Sequence, residues 1–318
     1  MPRSADGLDV ELLRNVYAPT ARRLDDAAGL EARDAIISAA KSDLSKMTPE
    51  AAKARLVDVC RQLEGHQIAD VKKLVKTLAP RKLREVASQV VEEQLTRTQT
   101  EQNAIRGYTF GVTRPNAAYY LKFNSLLRSM SAAEKRAALD DRSANPQAAC
   151  THLEGYGEVK PKDVVYCSAI LKRALWKSPN YSGRVFRGGA LDPEQLTAMQ
   201  EALGRKTKVF LLEPQFVSTS QTRETAKRYR RNVLYLVTLR PGFGNSAVDI
   251  PSAFAEQEVL VAEGAYFQVL KIKEKEIKVS KPRGKLKTVV PRRKYFSISV
   301  QQVNRADVDA AGAGARVF

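Results

Sequence analysis

Two hydrophobic periods run along this chain, and the change from one to the other divides it. Through the first hundred residues apolar positions recur every three or four: Leu56, Cys60 and Leu63, then Val71, Val75 and Leu78, then Leu83, Val86 and Val90. That spacing stacks them on one stripe of a helix and predicts a set of short amphipathic helices. Thr48-Pro49 supplies an N-cap with proline at the first helical position, and Pro80 ends one helix before the next begins. The polar stretch Arg97 to Asn103 (RTQTEQN) carries no apolar side chain, which places a boundary near residue 100: a helical N-terminal domain over 1–100 and a second domain over 101–318. Two more helical segments are expected after the boundary, Ala117 to Met130 being the clearer.

Near residue 183 the period becomes two. Arg184 to Arg187, Lys208 to Leu212, Phe216 to Thr219, Val233 to Leu239, Glu258 to Ala262, Tyr266 to Ile272 and Tyr295 to Val303 are short β-rich runs separated by glycine, proline and polar breaks. Only Pro193 to Leu203 and Thr222 to Arg231 read as helices among them. Strands this frequent with so few crossover helices predict a largely antiparallel sheet pair, and the class is α+β.

Composition narrows the chemistry. The chain of 318 residues has 43% hydrophobic and 28% charged residues, the balance of a folded globular protein. Its formal charge of +18 calls for an anionic partner, without choosing among nucleotide, nucleic acid, acidic protein face and membrane. Half of that excess lies in one place: Lys271 to Lys294 holds eleven Lys or Arg against Glu274 and Glu276, a net of +9. Residues 271–294 are therefore a candidate contact for nucleic acid or an acidic protein face, beside the simpler reading of a solvated hairpin. Three cysteines without paired spacing imply no disulfide framework. No apolar run reaches the length of a membrane span, and Met1 to Leu30 lacks the pattern of a signal peptide, so a cytoplasmic site of synthesis is expected. With only His66 and His152, neither in a plausible setting, a Ser-His-Asp triad is not expected; Cys150 and His152 lack the further ligands of a zinc site, so no metal is expected. GxGxxG and P-loop signatures are absent from the sequence.

Three segments interrupt the strand pattern with chemistry. In Gly183 to Gly189 (GRVFRGG), Arg187 ends an apolar strand ahead of two glycines, where a guanidinium fork and bare backbone amides can reach the same phosphate or amide. In Phe216 to Ser220 (FVSTS), Ser220 can cap the helix expected from Gln221; if Val217 faces the core, Ser218 faces a groove. In Ser252 to Val261 (SAFAEQEVLV), Glu256 and Glu258 sit at i and i+2 entering a strand, which sets both on one face roughly 6 to 7 Å apart.

In this order the segments resemble the arginine-specific mono-ADP-ribosyltransferases, whose signature is an Arg strand, a Ser-Thr-Ser strand and a Glu-x-Glu strand. Ile105-Arg106-Gly107-Tyr108-Thr109 and the run from Tyr120 to Arg128 (YLKFNSLLR) resemble the family's helical motif, and the likeness covers about residues 105–272. It implies a fold of two packed, mostly antiparallel sheets with flanking helices, and a cleft that binds NAD as substrate. By the same resemblance Arg187 holds the phosphates, the Gly188 backbone bonds the nicotinamide amide, and Ser218 braces the site. Glu258 bonds the nicotinamide ribose and offsets its developing positive charge, while Glu256 orients and deprotonates the guanidinium of a protein acceptor. Phe254 contributes the acceptor loop's aromatic, two residues before Glu256 where many relatives place it three before. The family includes toxins and effectors, so delivery to a host cell is compatible with the resemblance. The rival readings are an NAD glycohydrolase at the same site and a basic nucleic-acid-binding module on a non-catalytic scaffold.

Overall fold

The computed structural model describes residues 27–62, 68–79, 81–110, 119–140, 161–177, 181–240, 248–250, 257–278 and 292–318. Among the described residues four helices come first: α1 Ala27–Leu44, α2 Pro49–Gln62, α3 Ile68–Thr77 and α4 Arg81–Leu95. The Thr48 hydroxyl accepts from the Ala51 amide at 3.4 Å, which starts α2 at Pro49. The predicted stripe is buried: Leu56, Val71, Val75, Leu78, Leu83 and Val90 share one apolar cluster with Leu44, Val59 and Leu74. On α4 the stripe runs through Ala87 and Val91, leaving Val86 half-buried.

The polar run RTQTEQN is not an open linker throughout, because α5 Gln99–Phe110 begins inside it. Its polarity is that of a capped helix start. The Thr98 hydroxyl accepts from the Glu101 amide at 3.2 Å, and the Glu101 carboxylate accepts from the Thr98 amide at 2.8 Å. This reciprocal pair is a capping box, which the spacing Thr98-x-x-Glu101 encodes. Glu101 is 1% exposed and also pairs with Lys177 at 2.9 Å and Arg173 at 3.3 Å. Those two basic residues come from the end of α8 Pro161–Trp176 and just past it. Between α5 and α8 lie α6 Tyr119–Ser129 and α7 Ala132–Asp140, so four helices stand among the described residues where two were expected.

Among the described residues nine strands follow, interrupted by α9 Pro193–Gly204, α10 Arg223–Arg228 and a short α11 Arg305–Asp309. They are β1 Gly183–Gly189, β2 Val209–Glu213, β3 Val217–Ser220, β4 Val233–Leu239, β5 Val248–Ile250, β6 Glu258–Val261, β7 Ala265–Lys278, β8 Arg292–Val303 and β9 Arg316–Val317. Their hydrogen-bonded order is β5-β6-β3-β1-β4-β8-β7-β2-β9, antiparallel except for β4 with β8 and β2 with β9. The expected two sheets are the two lobes of one curled ladder. Val217, Val259 and Val261 from one lobe share a buried cluster with Val209, Val269, Ile298 and Val300 from the other, so the lobes pack face to face.

After Glu258, strand β6 is apolar because it is covered on both sides. Val259 and Val261 enter the cluster between the lobes, whereas Leu260 and Ala262 pack with Tyr108, Phe123, Ile170 and Phe216 against the helical layer of α5, α6 and α8. Alternation along the strand therefore assigns Glu258 to the helix side.

Candidate active site

The lobes join at one point. Strands β1 and β3 share a single register pair, Phe186 with Ser220. Continued antiparallel, that register would set Gly188 opposite Ser218, but no further pair is formed. Arg187, Gly188 and Ser218 therefore lie where this ladder ends.

On the far side of β3 the pairing continues, with Ser218 opposite Leu260 and Ser220 opposite Glu258. Thr219 locks these strands together: it is 4% exposed, and its hydroxyl donates to the Val259 carbonyl at 2.6 Å. Val217 is buried and Ser218 exposed, the arrangement that turns Ser218 to the groove. Ser220 does not cap α10. That helix begins at Arg223 with Thr222 in the cap position, and the Ser220 hydroxyl accepts from the Thr222 amide at 3.0 Å, closing a turn one step upstream. Serine hydroxyls compete for nearby amides in this way at strand ends.

Glu258 opens β6, half-buried between Ser220 and Ile250. The residue before it changes the sequence argument. Gln257 has φ 46°, the left-handed region, and its carbonyl accepts from the Gln221 amide at 3.0 Å. Alternation of side chains holds only along extended backbone, so a shared face for Glu256 and Glu258 does not follow from i, i+2 spacing across this turn. Glu256 and Phe254 lie outside the described residues, as do His66, Cys150 and His152. Among the described residues no group of three or more His, Cys, Asp and Glu could hold a metal ion.

Arg187 shares a face of β1 with Val185, whose side chain lies in the cluster between the lobes. Its guanidinium pairs with the Glu213 carboxylate at 3.3 Å, with about a quarter of each side chain exposed. Tyr235 stands opposite Arg187 on β4, and burial, reinforced by Glu213, pushes its hydroxyl up to about 12 against the opposing pull of Arg187. Gly188 is glycine for a packing reason. A Cβ there would collide with backbone atoms of Ala226, Tyr229 and Arg230 at the end of α10.

Two residues of the helical motif belong to the same place. Tyr108 of α5 is 3% exposed, with its ring 5.7 Å from Phe123 and 5.6 Å from Phe216. The Asn124 amide of α6 donates to its hydroxyl at 3.0 Å. Burial raises that hydroxyl to about 12; hydrogen bonds from Asn124 and Ser218 and the charge of Arg187 oppose the rise, and the charge of Glu258 adds to it. Arg187, Ser218 and Glu258 thus all lie within electrostatic reach of one phenolic oxygen. Asn124 Oδ1 is buried without a partner, an acceptor that a ligand N–H or O–H would satisfy. Tyr108, Asn124 and Glu213 are not among the site residues expected from sequence. The signal for Asn124 was an amide on an apolar helix face beside Phe123 and Leu127; Glu213 left none, since its partner is 26 positions away.

The basic segment starts on the same sheet. Beyond Val269 strand β7 pairs only with β8 among the described residues, and Lys271, Lys273 and Lys275 are exposed along it. Glu274 lies on the opposite face, paired with Lys294 at 2.6 Å. Residues 279–291 fall outside the described set. Among the described residues no helix is long and apolar enough to cross a membrane.

An α+β chain with Arg, Ser and Glu on three neighbouring strands is the class reached so far, and comparison with known proteins gives it particular relatives. No protein-family model matches the chain. Its sequence is 28% identical over 160 residues to Vis of Vibrio splendidus (strain 12B01), assigned by name as an NAD(+)–arginine ADP-ribosyltransferase. The match covers 45% of this chain and 61% of Vis, so the chain spans about three fifths of the curated relative it matches. The resemblance to the arginine-specific mono-ADP-ribosyltransferases is borne out by that relative. Among solved structures the chain is similar to the Vis toxin, an ADP-ribosyltransferase, with TM-score 0.41 and 19% identity over 77% of this chain and 94% of that one. Vis has also been solved in complex with agmatine. ADP-ribosyltransferase HopU1 of Pseudomonas syringae pv. tomato DC3000 matches with TM-score 0.36 and 14% identity, over 58% of this chain and 65% of that one.

Proposed function

We propose that residues 101–318 form an NAD-dependent mono-ADP-ribosyltransferase unit that moves ADP-ribose to protein arginine and releases nicotinamide, with residues 1–100 a separate helical unit. The observation that carries this reading is that Arg187, Ser218 and Glu258 stand on three neighbouring strands, each within electrostatic reach of the Tyr108 hydroxyl. The relation to Vis supports it.

In this reading Arg187 is the phosphate ligand, a planar fork whose charge persists at any working pH. Its pairing with Glu213 holds the fork in place and is exchanged in part for the phosphates. The Gly188 backbone faces the nicotinamide amide, and Ser218 braces the cleft. Glu258 holds a full negative charge beside the nicotinamide ribose, where positive charge grows as the glycosidic bond breaks. Glu256 orients the acceptor guanidinium and takes its proton, and Phe254 lines the acceptor's approach. Agmatine in the Vis structure supports a guanidinium acceptor, and the description of Vis as a toxin supports a toxin or effector role.

The test is incubation with NAD and agmatine, following nicotinamide release and agmatine labelling separately. Glu258→Gln is expected to lose both by about 10² to 10³, equivalent to about 2.7 to 4 kcal/mol, while NAD binding persists. Glu256→Gln is expected to lose labelling and keep slow hydrolysis. Release without labelling by the unaltered chain would assign an NAD glycohydrolase instead, and near-normal turnover in Glu258→Gln would refute the assignment of that residue.

A further inference from the structure

We propose that the margin of β7 from Lys271 to Lys278 is a docking edge for an extended acidic segment of a partner protein, which adds a strand to the sheet there. Two observations meet at this edge. The first is that it is open. Strand β2 pairs with β7 only from Ala265 to Val269, because upstream of Val209 the chain turns back to α9, where the Thr207 amide donates to the Ala202 carbonyl at 2.9 Å. From Lys271 to Lys278 strand β7 pairs residue for residue with β8 on one side, and among the described residues no strand pairs with it on the other. Such an edge offers a row of backbone N–H and C=O groups to an incoming strand.

The second observation is charge sorted by face. Leu270 and Lys271 together oppose Ser299, a β-bulge that resets the alternation of side chains. Past the bulge Ile272 packs against the cluster between the lobes, and Lys271, Lys273 and Lys275 are exposed on the outward face. An unbroken ladder would have turned these lysines inward and Ile272 outward. Glu274 and Glu276 lie on the face of Ile272, where Glu274 pairs with Lys294 at 2.6 Å. Among the described residues none of the three lysines pairs with an anion. They stand two residues apart, roughly 6 to 7 Å, a spacing that an extended chain with an acidic residue at every second position reproduces.

These features select one kind of partner. A second copy of this chain brings the same lysines to the edge and is repelled. Single-stranded nucleic acid binds by stacking bases on exposed aromatic rings. The ring in register with Lys275 is that of Tyr295, 7% exposed and covered by the Arg230 guanidinium at 4.0 Å. An acidic strand uses both the backbone row and the lysine row, since opposite charges on neighbouring strands attract. By register Ile272, Ile298, Tyr235 and Arg187 form one row across the sheet, three strand spacings or about 14 Å long. A docked strand therefore lies on the sheet of the candidate site without entering it, and its binding is read without NAD.

The test is fluorescence anisotropy of the full chain with a labelled synthetic peptide of alternating Glu and Val. The same peptide with its backbone amides N-methylated and a uridine oligonucleotide of equal charge are the comparisons. The alternating peptide is expected to bind, and N-methylation to abolish binding by removing its strand pairing. Reversing all three lysines (Lys271→Glu, Lys273→Glu and Lys275→Glu) is expected to weaken binding by about tenfold or more, the worth of three cross-strand charge pairs, with the melting temperature kept. Lys273→Gln serves where the triple variant does not fold, with a loss of about twofold from one such pair. Equal binding of the N-methylated peptide overturns the proposal, because charge alone then accounts for it. Tighter binding of the oligonucleotide, unchanged binding by the folded lysine variants, or no binding of the alternating peptide overturns it as well.

Discussion

One methyl group at Gly188 probes whether the end of α10 and the cleft are a single mechanical unit. An alanine Cβ would overlap the Ala226 carbonyl oxygen and backbone atoms of Tyr229 and Arg230, so the helix end must withdraw by on the order of 1 Å to regain ordinary contact near ~3.5 Å. Overpacking of this kind costs about 1–3 kcal/mol, and backbone obstacles place it near the top of that range. Withdrawal also loosens what ties the segment down. Ala226 shares a buried cluster with Leu234 and Tyr295, and the Arg230 guanidinium lies 4.0 Å from the centre of the Tyr295 ring. The Arg231 amide donates to the Gly189 carbonyl at 3.0 Å. The cation–π contact is worth about 0.5–1 kcal/mol and the hydrogen bond about 1 kcal/mol, so partial loss brings the total to about 3–4 kcal/mol. Any displacement taken up by β1 instead moves Arg187, and a shift of about 1 Å at a reacting centre costs on the order of 10² in rate. Urea denaturation and NAD turnover of Gly188→Ala measure the two shares. Gly189→Ala is the control, because a Cβ there meets only the Tyr235 ring edge at 3.5 Å. Equal stability and equal turnover in the two variants would refute the reasoning.

Two further outcomes follow from buried charge and buried hydroxyls. Tyr108 and Tyr235 carry hydroxyls raised to about 12, chiefly by burial. The folded chain keeps these protons while the unfolded chain gives them up near pH ~10, so their contribution is whole below that pH and is lost as pH rises through about 12. Ultraviolet difference titration should show a late-ionising phase that shrinks in Tyr108→Phe; an unchanged late phase would count against burial as its cause. Glu101→Gln leaves Lys177 and Arg173 largely buried without their anion and is expected to cost about 3–5 kcal/mol in a denaturation midpoint. Glu85→Gln, which removes an exposed partner of Arg81, is expected to change stability by under about 1 kcal/mol; similar costs for the two would remove the argument from burial.

What could be read from the chain alone was whatever local periodicity encodes. Helices α2, α3 and α4 follow from apolar positions three and four apart, and β1, β3, β4 and β6 from short runs between breaks, because burying one stripe or face is a local demand on sequence. Arg187, Ser218 and Glu258 stood out because each interrupts such a run. Tertiary structure decided the rest. The same polar pattern that reads as a linker at Gln99 to Asn103 is a capped helix start, since Glu101 meets Arg173 and Lys177, more than seventy positions away. The i, i+2 argument for Glu256 and Glu258 depended on extended backbone at Gln257, and the left-handed turn there answers to a hydrogen bond from Gln221 on another strand's exit. In sequence Gly188 is one of two glycines that bare the backbone beside Arg187, yet the end of α10 is what excludes a side chain from it. The packing of Tyr108 against Phe123 and Phe216, and its hydrogen bond from Asn124, have no sequence signature, because two helices and a strand bring them together. Periodicity reports how a segment is buried; only the packed chain decides what it is buried against.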